Sequence, residues 1–353
     1  MAEPSLWGVI LAGGIGSRFW PVSTPRRPKQ VLPLAGDVPL IRQTVDRITP
    51  LVPLERLRLL AGAHLAEHLR EAVGDLSSDQ LWIEPEPKGT APVLAWAAAR
   101  IAREDEDAVM VSLHSDHVIT PDDAFRALVG DVAHLAAELP RLFTIGAQPN
   151  RPETGYGYIR LGERVRPTLQ VYDVAEFVEK PDRDTAREYL LRGGYLWNTG
   201  IFLWRVGAFL DEVRRRAPEI GELLPLLDAG EDERFFREAP AISVDEAVLE
   251  RSDHVAVAHA RFRWDDIGAW DAVGRTRTPD EAGNVAVGKA HLVGSQGCIA
   301  WADEGTVVVF GGENLVVVRS GGITLVAPRE RTTDLKDLLS QLPEELRALH
   351  DDE

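Results

Sequence analysis

At 353 residues the chain is long enough for one large domain with a smaller one, or for two of ordinary size. Its hydrophobic fraction of 44% and charged fraction of 27% are those of an ordinary globular protein, and a formal net charge of −17 excludes a non-specific nucleic-acid binder or a protein docked on anionic lipid. No apolar run reaches the roughly 18 residues of a membrane span, Met1-Ala2-Glu3-Pro4 lacks the features of a signal peptide, and the single cysteine, Cys298, reads as a small buried hydrophobe of a reducing, cytoplasmic compartment.

The first two-thirds alternate short apolar runs with amphipathic stretches. Strands are expected at Trp7–Leu11, Leu57–Ala61, Leu81–Glu84, Ala108–Leu113 and Leu142–Ile145, with helices at Leu40–Ile48, Ala63–Val73, Ala91–Arg103 and Pro121–Glu138. That alternation predicts an α/β fold, a Rossmann-like, mostly parallel sheet with helices on both faces. Loops at the carboxyl ends of such strands bind ligands, so Gly13–Arg18, Glu84–Thr90 and His114–His117 should open onto one crevice. Further on, Tyr156–Leu161 and Leu169–Val178 read as a hairpin, Asp184–Leu191 and Val206–Arg216 as helices, and Ile201–Trp204 and Asp253–His259 as strands. From Val285 to Val326, valine- and glycine-rich runs spaced for short strands predict a small all-β unit, a sandwich, barrel or β-helix, closed by a helix over Thr332–Leu342. The boundary is expected near Pro279–Asn284, giving domains 1–281 and 282–353.

The richest stretch is Leu11-Ala12-Gly13-Gly14-Ile15-Gly16-Ser17-Arg18, followed by Pro28-Lys29-Gln30. Glycines allow backbone N–H groups to approach a ligand closely and to form an anion-binding concavity. From Ser5 to Gly36 there is no Asp or Glu, while Arg18, Arg26, Arg27 and Lys29 are all basic, a reversal of sign in an acidic protein. The stretch is not a P-loop, because no Gly-Lys-Ser/Thr follows. Nor is it a dinucleotide fingerprint, because Phe19 stands where a third glycine is needed, which disfavours an NAD(P)-linked oxidoreductase. A plain strand-to-helix turn is the bland alternative. Pro21, Pro25 and Pro28 argue against a helix directly after the loop and suggest an irregular segment that brings Arg18 and Lys29 over the site.

These residues resemble the opening of sugar-1-phosphate nucleotidylyltransferases, and with Trp20-Pro21-x-Ser23 and Pro28-Lys29-Gln30 most resemble the mannose-1-phosphate guanylyltransferases among them. Further matches follow in order: Glu84-Pro85-x-x-Lys88-x-Thr90-Ala91-Pro92, Ser115-Asp116-His117, Gly155-Tyr156-Gly157-Tyr158-Ile159, Phe177-Val178-Glu179-Lys180-Pro181, Trp197-Asn198-Thr199-Gly200-Ile201-Phe202 and Trp264-Asp265-Asp266-Ile267-Gly268-Ala269-Trp270. The resemblance implies transfer of GMP from GTP to mannose 1-phosphate, with a divalent cation such as Mg²⁺. It also implies a small β-helix-like C-terminal domain, which often mediates subunit contact in that family and so a possible homodimer, and no appended isomerase domain, since the chain ends at Glu353. Nucleic acid and membrane are not expected partners. Alternatives are the same chemistry on another sugar or base, as in glucose-1-phosphate thymidylyl- and uridylyltransferases, or a non-catalytic nucleotide-sugar-binding homologue.

In-line attack of one phosphate on another needs a phosphate cradle, cations on the leaving and attacking groups, and a metal with oxygen ligands. Leu11, Ala12, Gly13, Gly14, Gly16 and Ser17 supply the cradle, and Arg18 and Lys29 the leaving-group cations. Asp116, just past an apolar strand, suits Mg²⁺, although capping of the helix near Pro121 is an alternative. Asp266 sits in an aromatic-rich turn where an unpaired charge is costly, and the family pattern selects it over Asp265. Lys180, held extended by Pro181, is placed on the sugar phosphate by the resemblance, and Glu179 on the sugar hydroxyls, although a surface Glu–Lys pair at a strand end is the alternative. Asn198 would bond sugar hydroxyls, and Gly157 would admit the hexose. Glu84 could accept from guanine N1–H and N2–H₂, with backbone near Gly89 and Thr90 completing the contact. Two positions depart from the family pattern: Gly89 replaces a usual Asn, and His114 a usual proline. His114 and His117 are read as hydrogen-bonded or solvated histidines and not as a zinc pair.

Overall fold

The first strand shows how the chain is layered. All six residues of β1 (Leu6–Leu11) are buried. Leu6 and Ile10 enter one apolar cluster, while Trp7, Val9 and Leu11 enter another. A strand with side chains alternating into two separate cores lies in a sheet covered on both faces. We describe residues 3–14, 16–74, 76–343 and 346 of a computed structural model.

A nine-stranded sheet joins β1, β2 (Leu57–Gly62), β3 (Leu81–Glu84), β4 (Val109–His114), β6 (Leu142–Ala147), β7 (Tyr158–Arg164), β8 (Val171–Val178), β9 (Tyr195–Arg205) and β10 (Val255–His259), in the order β3-β2-β1-β4-β9-β6-β10-β8-β7. A separate two-stranded ribbon pairs β5 (Val118–Thr120) with β11 (Arg263–Asp265). The half built from β3, β2, β1 and β4 is parallel throughout. β8 and β9 run against the other seven, so the mostly parallel sheet is borne out. β7 and β8 form the expected hairpin. Helices Leu40–Ile48, Ala66–Ala72 and Asp122–Glu138 cover one face through Ile41, Val45, Leu69, Phe125 and Val129. Thr90–Glu104, Val206–Arg216 and the short helices Leu224–Asp228 and Asp232–Glu238 cover the other through Leu94, Trp96, Phe209, Leu227 and Phe235.

Three elements depart from the expectation. β9 spans 11 residues where only Ile201–Trp204 were expected, because it lies between β4 and β6 and pairs with both. The helices between 218 and 238 carried too short an apolar period to be read. The β5–β11 ribbon is three residues a side, below the length at which alternation is legible.

The C-terminal strands are β12 (Val285–Val293), β13 (Ile299–Phe310), β14 (Leu315–Ser320) and β15 (Ile323–Pro328). β12, β13 and β14 pair in parallel and β15 antiparallel. Parallel neighbours joined by short glycine turns, without crossover helices, are the geometry of a β-helix and not of a sandwich of hairpins. A 3₁₀ turn, Arg329–Asp334, leads into a final helix, Leu335–Gln341. This unit shares an apolar cluster with the segment after the glycine loop. Trp270 is fully buried between Phe19, with ring centroids 5.3 Å apart, and Trp301, at 5.4 Å. An aromatic buried so completely contributes roughly 3 kcal/mol to holding the two parts together.

Candidate active site

The strand order reverses between β1 and β4, and the loops at their carboxyl ends form the crevice. Only short 3₁₀ turns, Ser17–Phe19 and Lys29–Val31, follow the glycine loop, as the prolines require. Gln30 Nε2 donates to the carbonyls of Gly13 and Gly14, at 2.7 Å each, and pins the loop from behind. Gly16 has φ 77°, and a Cβ on it would lie 2.4 Å from the Lys29 Cβ, so only glycine lets the lysine stem pass. The Ala12 amide donates to the Leu60 carbonyl at 2.8 Å, so Ala12 continues the pairing of β1 with β2 and its own N–H is committed to the sheet.

Two cavities meet at Gly13, Gly14 and His114. The first, about 640 Å³, is lined by Leu11, Glu84, Gly89, Thr90 and Val93. Burial without a charged partner pushes the Glu84 carboxyl up to about 7. The Ile242 amide donates to the Lys88 carbonyl at 3.0 Å, the Ala91 amide to the Ile242 carbonyl at 3.2 Å, and the Val244 amide to Thr90 Oγ1 at 2.8 Å. A Cβ on Gly89, at φ 79°, would lie 2.6 Å from the Ile242 carbonyl oxygen. The glycine standing in place of asparagine is thus a consequence of the segment laid across it.

The second cavity, about 430 Å³, holds Gly16, Ser17, Arg18, Lys29, Asp116, His117, Asp266 and Gly268. Asp116 and Asp266 meet there because the β5–β11 ribbon pairs Val118 with Asp265 and joins segments almost 150 positions apart. Lys29 Nζ lies 2.8 Å from Asp116 Oδ2 and donates to the Asp266 carbonyl at 2.9 Å. Burial opposes ionisation of Asp116, but Lys29 and the neighbouring imidazoles outweigh it and bring the carboxyl down to about 2. Burial raises Asp266, partly offset by Lys29 and by a hydrogen bond from the Tyr156 hydroxyl. The two neighbouring acids separate cleanly. Asp265 is engaged by Arg275 Nε at 2.7 Å and by the Ile267 amide at 3.0 Å, leaving Asp266 to face the cavity. Ile267 itself is held at φ 47°, a strained state for a β-branched residue beside the site.

His114, Asp116 and His117 bring potential ligand atoms within 4.8 Å of one another. Trp264 Nε1, however, donates to His117 Nδ1 at 3.2 Å. A neutral imidazole accepting at Nδ1 carries its proton on Nε2 and has no lone pair left for a metal. Burial keeps His117 neutral, which fits the expected hydrogen-bonded histidine.

At the far end, Gly157, Glu179 and Asn198 converge. A Cβ on Gly157 would lie 2.6 Å from Glu179 Oε2 and 3.3 Å from the Asn198 Cβ. Lys180 is not extended: its φ is 47°, in the left-handed region, so it turns back and pairs its Nζ with Glu179 Oε1 at 2.7 Å. Proline disfavours the right-handed helical state for the preceding residue and favours an extended one, a preference that the bend after β8 overrides. Lys180, Arg18 and Asp266 also line a third cleft, about 1010 Å³, between the sheet domain and the β-rich unit. Sequence reasoning missed Asp245. It sits at the start of a π-helical turn, Asp245–Leu249, and accepts from Asn198 Nδ2 at 2.7 Å, while Thr144 Oγ1 lies 2.8 Å from Asn198 Oδ1. The amide is therefore fixed from both ends. Burial and the charge of Glu179 push the Asp245 carboxyl up to about 7. A local irregularity in a helix is its only trace, and no periodic signal reports one.

The Nucleotidyl transferase family matches residues 7–281, and the MannoseP isomerase/GMP-like beta-helix domain matches residues 288–342. A mannose-1-phosphate guanylyltransferase of Klebsiella pneumoniae is 37% identical, over 96% of this chain and 74% of that one. The chain belongs to the mannose-1-phosphate guanylyltransferases. A second member, from Escherichia coli strain K12, is 35% identical over 99% of this chain and 76% of its own length. A crystal structure from Thermus thermophilus, named as a mannose-1-phosphate geranyltransferase, superposes with a TM-score of 0.88 at 34% identity, covering 96% of this chain and 99% of that one.

Proposed function

We propose that the chain transfers GMP from GTP to mannose 1-phosphate, giving GDP-mannose and pyrophosphate. The observation that carries this is the junction of a nucleoside-sized cavity with a cation- and carboxylate-lined one at a glycine loop. A sugar-phosphate oxygen attacks the α-phosphorus, the new P–O bond forms in line, and the bond to the β-phosphate oxygen breaks to release pyrophosphate. Glu84, ionised, accepts from the guanine N–H groups. The glycine loop seats the phosphates, Arg18 neutralises the leaving group, and Lys29 sits between the acids and the phosphates. Lys180 holds the attacking phosphate, while Glu179 and Asn198 orient the hexose over Gly157. No placed Ser, Cys or His nucleophile is required.

Two carboxylates on one cavity are a hard-oxygen donor set that fits Mg²⁺, and Asp116 and Asp266 would hold it. Such an ion supplies neutralisation of phosphate charge. Asp266→Asn should abolish pyrophosphate release in Mg²⁺, and an unchanged rate would overturn the two-carboxylate assignment. Parallel assays with GTP, dTTP, UTP and ATP test the base, and equal turnover with a non-guanine nucleotide would refute guanine selection.

The catalytic unit is placed at 1–281 and the β-rich unit at 282–353, which the two family matches support. A reaction that consumes GTP and a buried thiol, Cys298, both suit the cytoplasm. The β-rich unit also offers a self-association surface. Val308 and Phe310 are 65% and 84% exposed on β13, and Val293 is in register with Phe310. Phe310→Glu should convert a dimer to monomer in sedimentation, and a wild type already monomeric at high concentration would refute the dimer.

A further inference from the structure

The pyrophosphate leaving group needs cations, and the cavity that would hold it is short of them on the catalytic domain alone. Lys29 is committed to Asp116 at 2.8 Å and to the Asp266 carbonyl. That leaves Arg18, which has no ion-pair partner among the described residues. The same cavity has one lining residue from the β-rich unit, Lys336. Lys336 lies on the final helix, Leu335–Gln341, is exposed, and has no ion-pair partner among the described residues.

Its placement is built. Leu335 is 2% exposed and joins the cluster that holds Phe19, Trp20 and Trp270, with Leu338, Leu339 and Leu342 packed against it. The helix contacts the Ser17–Phe19 turn directly, so the element that carries Arg18 also seats the helix that carries Lys336. The two lysine and arginine heads thus come from opposite units onto one anion site.

We propose that Lys336 is a pyrophosphate-binding residue of the nucleotidyl-transfer site, so that the β-rich unit completes the site it covers. This rests on the GMP-transfer activity proposed above. An ammonium here contacts the β- and γ-phosphates of GTP, and pyrophosphate in the reverse reaction. It makes no contact with GDP-mannose, whose second phosphate comes from the sugar phosphate and lies across the α-phosphorus from the departing pyrophosphate.

Reverse-direction kinetics separate the possibilities. In Lys336→Gln the KM for pyrophosphate should rise about tenfold, the size of one lost charge-assisted contact, while the KM for GDP-mannose stays within about twofold. Lys336→Arg should restore most of the loss. Lys289→Gln, which removes the same charge from an exposed position on β12, should leave both constants unchanged. Titration of inorganic pyrophosphate with Mg²⁺ into the full-length wild type and Lys336→Gln should show the same weakening without turnover. Wild-type activity with an unshifted pyrophosphate KM in Lys336→Gln, or an equal shift in Lys289→Gln, overturns the assignment alone. A wild type that neither binds pyrophosphate nor consumes GDP-mannose overturns the transfer activity and this proposal together.

Discussion

The guanine contact proposed for Glu84 comes with a measurable stability penalty. Burial raises its carboxyl from the ordinary 4.5 to about 7 in the folded protein. Between those two values the unfolded chain is ionised and the folded one is not, so folding becomes less favourable as pH rises through that window. Above pH 7 the full penalty is present, about 3 kcal/mol from the shift and about 2 kcal/mol once partial solvent access is allowed for. Glu84→Gln removes the ionisation. At pH 8 the variant should be more stable by about 2 kcal/mol, or about 3 °C in Tm for a chain of this size. The difference should shrink below pH 7 and vanish near pH 4.5. Denaturant unfolding and differential scanning calorimetry at pH 8, 7, 6 and 5 would show it. The stabilised variant should also be the poorer enzyme. A carboxylate can accept from guanine N1–H and N2–H₂ together, whereas an amide presents one acceptor and a donor that opposes them, so the KM for GTP should rise about tenfold. Discrimination against ITP, which lacks the N2 amine, should collapse with it. A Glu84→Gln protein that is no more stable at pH 8 than at pH 5 would refute the buried, unpartnered carboxylate. One that is stabilised but keeps its preference for GTP over ITP would refute the placement of guanine.

Gly89→Ala would put a Cβ against the Ile242 carbonyl at a φ of 79°. Circular dichroism melts should show a loss of about 2 kcal/mol or more, together with a raised KM for GTP because the base loop and the Ile242 segment separate. Full stability would mean that the segment does not press on the loop. Tyr156→Phe deletes the hydroxyl that holds the Asp266 carboxylate. The Mg²⁺ concentration for half-maximal activity should rise about tenfold with the fold intact, and an unchanged metal dependence would show that Tyr156 does not orient the carboxylate.

The order of the motifs, the glycine loop and the parallel half of the sheet were legible in the chain because each is a local property. A buried strand such as Leu6–Leu11 announces itself through its own apolar residues, and a glycine through the backbone state it alone tolerates. Local signals also placed the β-rich tail, whose valine runs recur at strand spacing. What tertiary structure decided was which of these pieces share a cavity. The pairing of Asp116 with Asp266 runs through a ribbon only three residues a side, too short to leave a period. The Ile242 segment crosses the base loop through backbone hydrogen bonds, which carry no side-chain signature. Lys180 could be judged only as a residue before proline, and the bend after β8 sets its φ. Lys336 is one more surface lysine in the chain until the final helix docks on the Ser17–Phe19 turn and brings it into the lining of the cavity that holds Arg18 and Lys29. Periodicity reports how each element is buried, but contacts between distant elements depend on the packing of the whole fold, and the composite site is made of such contacts.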